Sequence, residues 1–482
     1  MSRLTEVLDT RLAESENYFV EGKFQASELG RDLVKFLSLI TIQETDEIFS
    51  WCNGFYVGGS VGENRVRATL RYLLGSKLMK VPQREVSELM SQVRLWSYQP
   101  YSIFESDMDC LPLANGVLDI KAMTLDHYRN LHHFFNFQIP VAYDPGADCP
   151  AFKQFVSEVV YPADVPLVQE IFGYCLWREG LASIKKAIMF LGAGDNGKSL
   201  LLTVLVELLG RLNVTAMTLV SLAENRFASA NLRGKLANIN PDLPDAALKQ
   251  TGQFKGLTGD DVIPYEIKHG GSGEFVNRAK LIFSTNKLPD AQDDTDGYYT
   301  RWVIVNFPYQ FVRGKTVLSE YERPAKDKNM LKAALTGPKE LSGILNWSLE
   351  GLKRLKANGC FTNELSSDKM RDIYVKLANS LKAFLLDRCV VTGKPDDFIS
   401  KDEFYRNYIV YCQDRKLAAF TKEKVGRKLP DCSPGQLMSG RDFVKGDRMT
   451  SWRGIRFVTE DESDRQDQQT LEDDDSGSKE VN

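Results

Sequence analysis

Residues 26–40 (ASELGRDLVKFLSLI) and 64–79 (NRVRATLRYLLGSKLM) place apolar side chains three and four positions apart. That spacing gathers them on one helical face, so residues 1 to about 105 read as mostly helical. Between them IFSWCNGFYV (48–57) carries Asn53-Gly54, a dipeptide that two-residue hairpins favour because both central residues take positive φ. A second Asn-Gly, in LANGVLDI (113–120), opens a short β-rich stretch that closes in AYDPGADCPAF (142–152), whose prolines and glycine set a boundary near residue 150. From 151 to 315 apolar strands alternate with helical patterns, the signature of an α/β core. Residues 316–375 read as a helical connector. In 376–458 three helical segments (377–390, 401–416, 421–429) precede a hairpin-like run at 440–458, the order of a winged helix.

Composition narrows this only a little. With 43% hydrophobic residues in 482, the chain can fill several ordinary cores. Its eight cysteines form no CxxC pair, which points to reduced thiols rather than a disulfide or zinc framework. The N-terminus is charged from the start and no run reaches the ~18 apolar residues of a membrane span, so the expectation is a cytoplasmic protein. The net charge of −4 is unevenly spread: residues 460–482 hold ten acids against Arg465 and Lys479, a net of −8, so the rest carries +4. The segment 459–482 reads as an acidic disordered tail, too poor in apolar residues to fold, while the body is mildly basic.

The chemistry concentrates in LGAGDNGKSL (191–200), which satisfies G-x-x-x-x-G-K-S with Gly192, Ala193, Gly194, Asp195, Asn196, Gly197, Lys198 and Ser199. Glycines let backbone N–H groups turn toward phosphate oxygens, Lys198 reaches the β/γ phosphates, and the Ser199 hydroxyl suits Mg²⁺. The apolar strand before the loop and the leucine-rich helix after it, whose N-terminus faces the anion, are the context that ATP binding requires. Hydrolysis also needs an acid near Mg²⁺ at a neighbouring strand end. Asp242 in KLANINPDLPD (235–245) is the candidate, with a turn aspartate as the alternative. Asn286, ending the apolar strand of RAKLIFSTNKLPD (278–290), suits orientation of the attacking water, with a turn-initiating Asn as the alternative.

The P-loop, GKLANINPDLP (234–244), FKGLTGDDVIPYEIKHGG (254–271), AKLIFSTNKLPD (279–290) and GYYTRWVIVNFP (297–308) follow one another in a single order. That succession resembles the superfamily 3 DNA helicases, in the branch of phage, plasmid and poxvirus primase-helicases. LANGVLDIKAMTLDHYRN (113–130) is similar to the domain that precedes the motor in that branch, and 376–458 to its winged helix. The resemblance implies an AAA+ core at 151–315, an N-terminal domain at 1–150 without the family's primase module, and a hexameric ring that moves 3′ to 5′ on single-stranded and forked DNA with ATP and Mg²⁺. A separate primase or initiator is a further partner, and the nucleoid or viral replication site the expected place. By motif, Asp242 is the strand-end acid, Asn286 the sensor, and Arg301 the arginine offered to a neighbouring subunit's ATP. One departure stands out: Pro241 precedes a single Asp242 where many motors have two acids, which leaves the general base unassigned.

In that family a hairpin between the acid and sensor strands enters the ring channel, which places Lys268 and His269 on DNA. On the third helix of the C-terminal region, Lys424, Arg427 and Lys428 supply charge for duplex phosphates, with Lys422, Arg441, Lys445, Arg448 and Arg453 around them; a solvated face is the alternative. The His127, His132 and His133 group and the Asp107-x-Asp109 pair lack the companions that a metal site needs. Two rival functions remain, an origin-binding initiator with ATP as an assembly switch and a remodelling or loading ATPase without unwinding.

Overall fold

Short, largely buried runs build the central sheet. The computed structural model describes residues 18–75, 81–127, 133–225, 227–241, 243, 251–266, 272–286, 288, 295–314, 319–414, 419–432, 437–444 and 447–459. Strands β1 (Ala187–Leu191), β2 (Val214–Thr215), β3 (Ala237–Asn240), β4 (Lys280–Thr285) and β5 (Trp302–Asn306) pair in parallel in the order β2-β3-β4-β1-β5. All residues of β1, β3 and β4 are buried, as expected when helices cover both faces of a parallel sheet. The strand read from sequence as Leu236–Ile239 is displaced by one residue. Register pairs Leu191 with Thr285 and with Asn306, so the carboxyl ends of β1, β4 and β5 lie level.

Against this sheet pack α1 (Pro150–Val159), α2 (Val165–Leu176), α3 (Lys198–Leu209) and α4 (Pro338–Asn358). Helices α2 and α4 touch through glycine: a Cβ on Gly173 would meet Ser348 O at 2.4 Å, and one on Gly351 would meet Gln169 O at 2.4 Å. An ion pair locks the crossing. Arg354 Nε donates to the fully buried Glu170 at 2.6 Å, and Thr362 gives the same carboxylate its N–H (2.7 Å) and hydroxyl (2.6 Å).

The N-terminal region corrects the helical expectation. Helices Ala26–Phe36, Ser60–Leu74 and Gln83–Ser97 are present, but so is a four-stranded sheet of Phe55–Val57, Ile48–Cys52, Leu39–Ile42 and Tyr98–Gln99. Leu39–Ile42 is buried throughout and shows no alternation, which is why periodicity passes over it. Asn53-Gly54 does turn a two-residue hairpin, at φ 50° and 106°. The second turn is Ala114-Asn115 rather than Asn115-Gly116, because Leu113 pairs with Gly116. The Asn115 amide is held instead by both polar groups of the Tyr143 backbone, at 2.9 Å each.

Two compact units are resolved by contact. The first holds the described residues up to Asn286 and Thr300–Glu364; the second holds Leu288, 295–299 and the described residues from Leu365 onward. In the second, α5 (Ser380–Arg388), α6 (Lys401–Asp414) and α7 (Lys422–Cys432) surround a core with Phe384, Phe404, Leu429 and Trp452, flanked by the antiparallel pair Met438–Val444 and Asp447–Arg453. Asn379 caps α5 through its side chain and breaks the helix expected over 377–390. No helix among the described residues is long and apolar enough to cross a membrane. The cysteines are free thiols, four buried and Cys360 exposed.

Candidate nucleotide site

β1 ends at Leu191, and the next six residues turn back to start α3 at Lys198. Gly197 takes φ 90° as the residue before the helix, and a Cβ there would lie 2.6 Å from Val159 Cγ1. A Cβ on Gly192 would meet Asn196 Nδ2 at 2.3 Å. Both positions therefore require glycine. The residue before α3 caps it with no side chain, and Lys198 N reaches Asn196 Oδ1 only at 3.5 Å, so the positive end of the helix dipole faces the loop. The loop is braced from outside: Phe311 N donates to Asp195 O at 2.7 Å, and Lys328 Nζ lies 3.1 Å from Asp195 Oδ1.

The Lys198 ammonium is buried among four oxygens: Gly192 O (2.5 Å), Ala193 O (3.1 Å), Asn196 Oδ1 (3.1 Å) and Asn286 Oδ1 (3.4 Å). Burial pulls it down to about 8. Asn286 reaches it from the end of β4 because β4 lies directly beside β1. A ligand at this edge sits outside the carboxyl ends of parallel strands, where open α/β sheets bind phosphates. The loop opens into a pocket of about 830 Å³ walled by Phe155, Phe311 and Leu331 and by the cations Lys326, Lys328 and Lys332. Sequence reasoning missed this second wall, although KDKNMLK (326–332) concentrates three lysines within seven residues. The exposed Ser199 stands at the helix start, and its hydroxyl is the kind of hard oxygen donor that Mg²⁺ takes. Asp242 lies outside the described residues; of its neighbours, Leu243 is buried and its N–H donates to Ser284 O at 3.0 Å.

Arg301 stands at the opposite edge. Its carbonyl accepts from Ala187 N at 2.6 Å, and the register Ala187↔Trp302 puts it before β5. At ~3.3 Å per residue it is about 20 Å along the strands from the P-loop of its own chain. Burial lowers it below the ordinary guanidinium range, with Asp261 opposing, and Nη1 donates to Thr258 O at 3.4 Å.

Between β3 and β4 the chain forms an antiparallel hairpin, Val262–Glu266 with Ser272–Val276. Lys268 and His269 lie outside the described residues. In the second unit Lys424 and Arg427 are exposed on α7 and Lys428 is half-buried. The ammonium groups of Lys424 and Lys428 sit 4.5 and 5.5 Å from the centre of the Phe420 ring. Two of the surrounding cations are engaged locally: Lys422 with Asp402, and Arg453 with Asp442 at 2.7 Å. Asp107 binds His133 Nδ1 at 2.9 Å, while Asp109 holds Lys121 at 2.6 Å and Lys356 at 3.2 Å. Among the described residues no cluster of His, Cys, Asp and Glu is suited to a metal ion.

Residues 76–160 match the family described as D5 N terminal like. No curated protein matches the chain. Among solved structures it is similar to the apo structure of the NrS-1 C terminal region (305-718), at 12% identity and a TM-score of 0.47 over 90% of this chain and 100% of that one. A second similar structure, the A form apo structure of the NrS-1 C terminal region, is 11% identical with a TM-score of 0.40, over 86% of this chain and 95% of that one. Residues 190–301 match the family of unknown function DUF5906, so a single family match runs from inside β1 to Arg301 and takes in the P-loop and Asn286.

Proposed function

We propose that the chain is an ATP-dependent replicative DNA helicase of the superfamily 3 type, working as a homohexameric ring that moves 3′ to 5′ on single-stranded DNA. The observation that carries this reading is the meeting of Lys198 and Asn286 at the carboxyl edge of the sheet, with Arg301 about six residues of strand away at the other edge. That separation suits an arginine serving the next subunit's nucleotide, because it cannot reach its own. In this reading Gly192 to Ser199 cradle the triphosphate, and Lys198 exchanges its loop oxygens for phosphate oxygens. Ser199 and Asp242 hold Mg²⁺, which supplies charge neutralisation at the phosphates, and Asn286 positions the attacking water. The hairpin carrying Lys268 and His269 follows the strand. The C-terminal unit acts as a winged helix that meets duplex phosphates through Lys424, Arg427 and Lys428. The D5 N terminal-like match ahead of the P-loop supports placing the chain among replication primase-helicases.

A forked-duplex unwinding assay with ATP, run beside size measurement with and without DNA, tests the proposal. Strand separation dependent on hydrolysis is expected. Sequence-specific duplex binding with negligible turnover would establish an origin-binding switch in its place, and turnover without strand separation a remodelling or loading ATPase.

A further inference from the structure

At the amino-terminal edge of the sheet, remote from the P-loop, Arg178, Arg233 and Arg278 wall one cleft together with Tyr101, Asn136 and Glu105. Arg233 and Arg278 stand just ahead of β3 and β4, and Lys280 Nζ donates to the carbonyls of both Arg178 (3.4 Å) and Arg278 (3.0 Å), so the fold itself holds these cations together.

Their donors are incompletely used. Arg178 is 6% exposed; its Nη2 donates to Phe104 O at 2.6 Å, while its buried Nη1 has no hydrogen-bond partner among the described residues. Arg278 Nε is buried and unpartnered in the same way, and its Nη1 reaches Asp260 only at 3.4 Å. The Arg233 guanidinium lies 3.9 Å from the centre of the Tyr101 ring, and Asn136 Nδ2 donates to the Tyr101 hydroxyl at 3.1 Å. Lys235, also in the wall, turns its ammonium away to Leu212 O at 2.6 Å. Glu105 is the one carboxylate among the wall residues, against three guanidinium groups; Glu47 acts on Arg233 and Asp107 on Arg178 from outside the wall. Burial pulls Arg178 below the ordinary guanidinium range, with Glu105 opposing.

A buried N–H without an acceptor is costly, and water would satisfy the donor without balancing the charge. A phosphate does both: its oxygens accept several N–H groups at once, and guanidinium forks match that geometry. We infer that this cleft is a second phosphate-binding site, for a phosphodiester of a nucleic-acid strand or the phosphate of a free nucleotide. The six residues of β4 separate it from the P-loop by about 20 Å. Phe275 and Val276, at the base of the β3–β4 hairpin, form part of its wall. The inference rests on these side chains alone and does not depend on the activity proposed above.

The test uses the full chain carrying Lys198→Ala, which weakens the P-loop as a competing phosphate site. Pyrophosphate binding is measured by calorimetry in this chain and in the same chain with Arg233→Gln and Arg278→Gln added, with thermal melting confirming that both are folded. Saturable binding that weakens at least tenfold in the Gln variant is expected; no binding, or binding indifferent to the two substitutions, overturns the site. Should the Gln variant fail to melt cooperatively, Arg233→Gln alone takes its place, with a threefold or greater loss expected and no loss overturning the site. Repeating the pair with ATP and with a short oligo-dT identifies the source: loss confined to ATP marks a nucleotide site, and loss of oligo-dT affinity with a shallower salt dependence marks a strand contact.

Discussion

Lys198 and Lys280 occupy opposite edges of the same parallel sheet, both buried, both with the ammonium among oxygens, and both pulled down by burial, to about 8 and about 7. Their surroundings set them apart. Lys198 opens on a pocket of about 830 Å³, and two of its four acceptors are the side-chain amides of Asn196 and Asn286. Lys280 is sealed, and its acceptors are the carbonyls of Trp177, Arg178 and Arg278, with the Tyr174 ring 5.5 Å away. A buried lysine with exchangeable acceptors beside a pocket is built to trade them for a ligand. One that ties three backbone carbonyls together inside a core is built to hold strands.

Substitution should separate the two most sharply. Lys198→Ala is expected to lower kcat for ATP hydrolysis by about a thousandfold or more, because it removes the cation from the transferring phosphoryl group, while the folding midpoint changes little. Full ATPase activity in this variant would remove the site assignment. Arg301→Ala, at the far edge, should also cost about a thousandfold in turnover yet leave ATP affinity intact. Mixing it with Lys198→Ala chains should restore some hydrolysis at interfaces that join an intact P-loop to an intact arginine; no recovery at any ratio, although mixed rings form, would rule out service in trans.

Lys280→Ala should do the reverse. Leaving three buried carbonyls without a donor is expected to cost about 2–4 kcal/mol in denaturant unfolding, with nucleotide affinity unchanged in the molecules that remain folded. Lost affinity without lost stability would break the contrast drawn here.

The pH dependences should differ too. The folded value of Lys280 lies below the ~10.5 of an unfolded lysine, so above about 7 the unfolded chain binds the extra proton and stability climbs with pH. Below about 7 both states are protonated and the cost of burial is carried in full. Cys175, pushed up by burial to about 12, acts in the opposite sense once unfolded thiols ionise, which confines the useful window to about pH 7–8.5. Across it stability should rise by about 1–2 kcal/mol, and Lys280→Met should remove most of that rise. Lys198, depressed to about 8, adds to that rise only above 8 and shows its titration in binding as well: ATP affinity should fall by up to about tenfold per pH unit above 8, as the free chain loses the proton its phosphate contact needs. The smallest effect expected is at α7, where Lys424→Ala should reduce the salt dependence of duplex binding by about one phosphate contact.

The carboxyl edge was legible in the sequence because its parts are local. An apolar strand, a glycine loop and a leucine-rich helix occupy one continuous stretch, and Asn286 directly follows a strand whose centre, Leu281-Ile282-Phe283, is visibly apolar. The amino-terminal edge was not, since its cleft draws on positions from Tyr101 to Arg278 that only the folded chain brings together. Local pattern also misplaced the second hairpin turn by one residue: dipeptide preference favours Asn115-Gly116, but the bonds between Asn115 and Tyr143, 28 residues on, decide otherwise. The N-terminal strand Leu39–Ile42 escaped for a related reason, as it is buried throughout and lacks the alternation that distinguishes a strand from a helix segment.

The glycine contact between α2 and α4 bears on how the molecule breathes. Where Gly173 and Gly351 bring two backbones into direct contact around a buried carboxylate, no small excursion admits solvent to the amides beneath. Those protons are released only when the helices part altogether. In hydrogen–deuterium exchange the crossing should therefore be the slowest to exchange in the first unit, its protection reporting the free energy of global unfolding, while the P-loop amides exchange sooner.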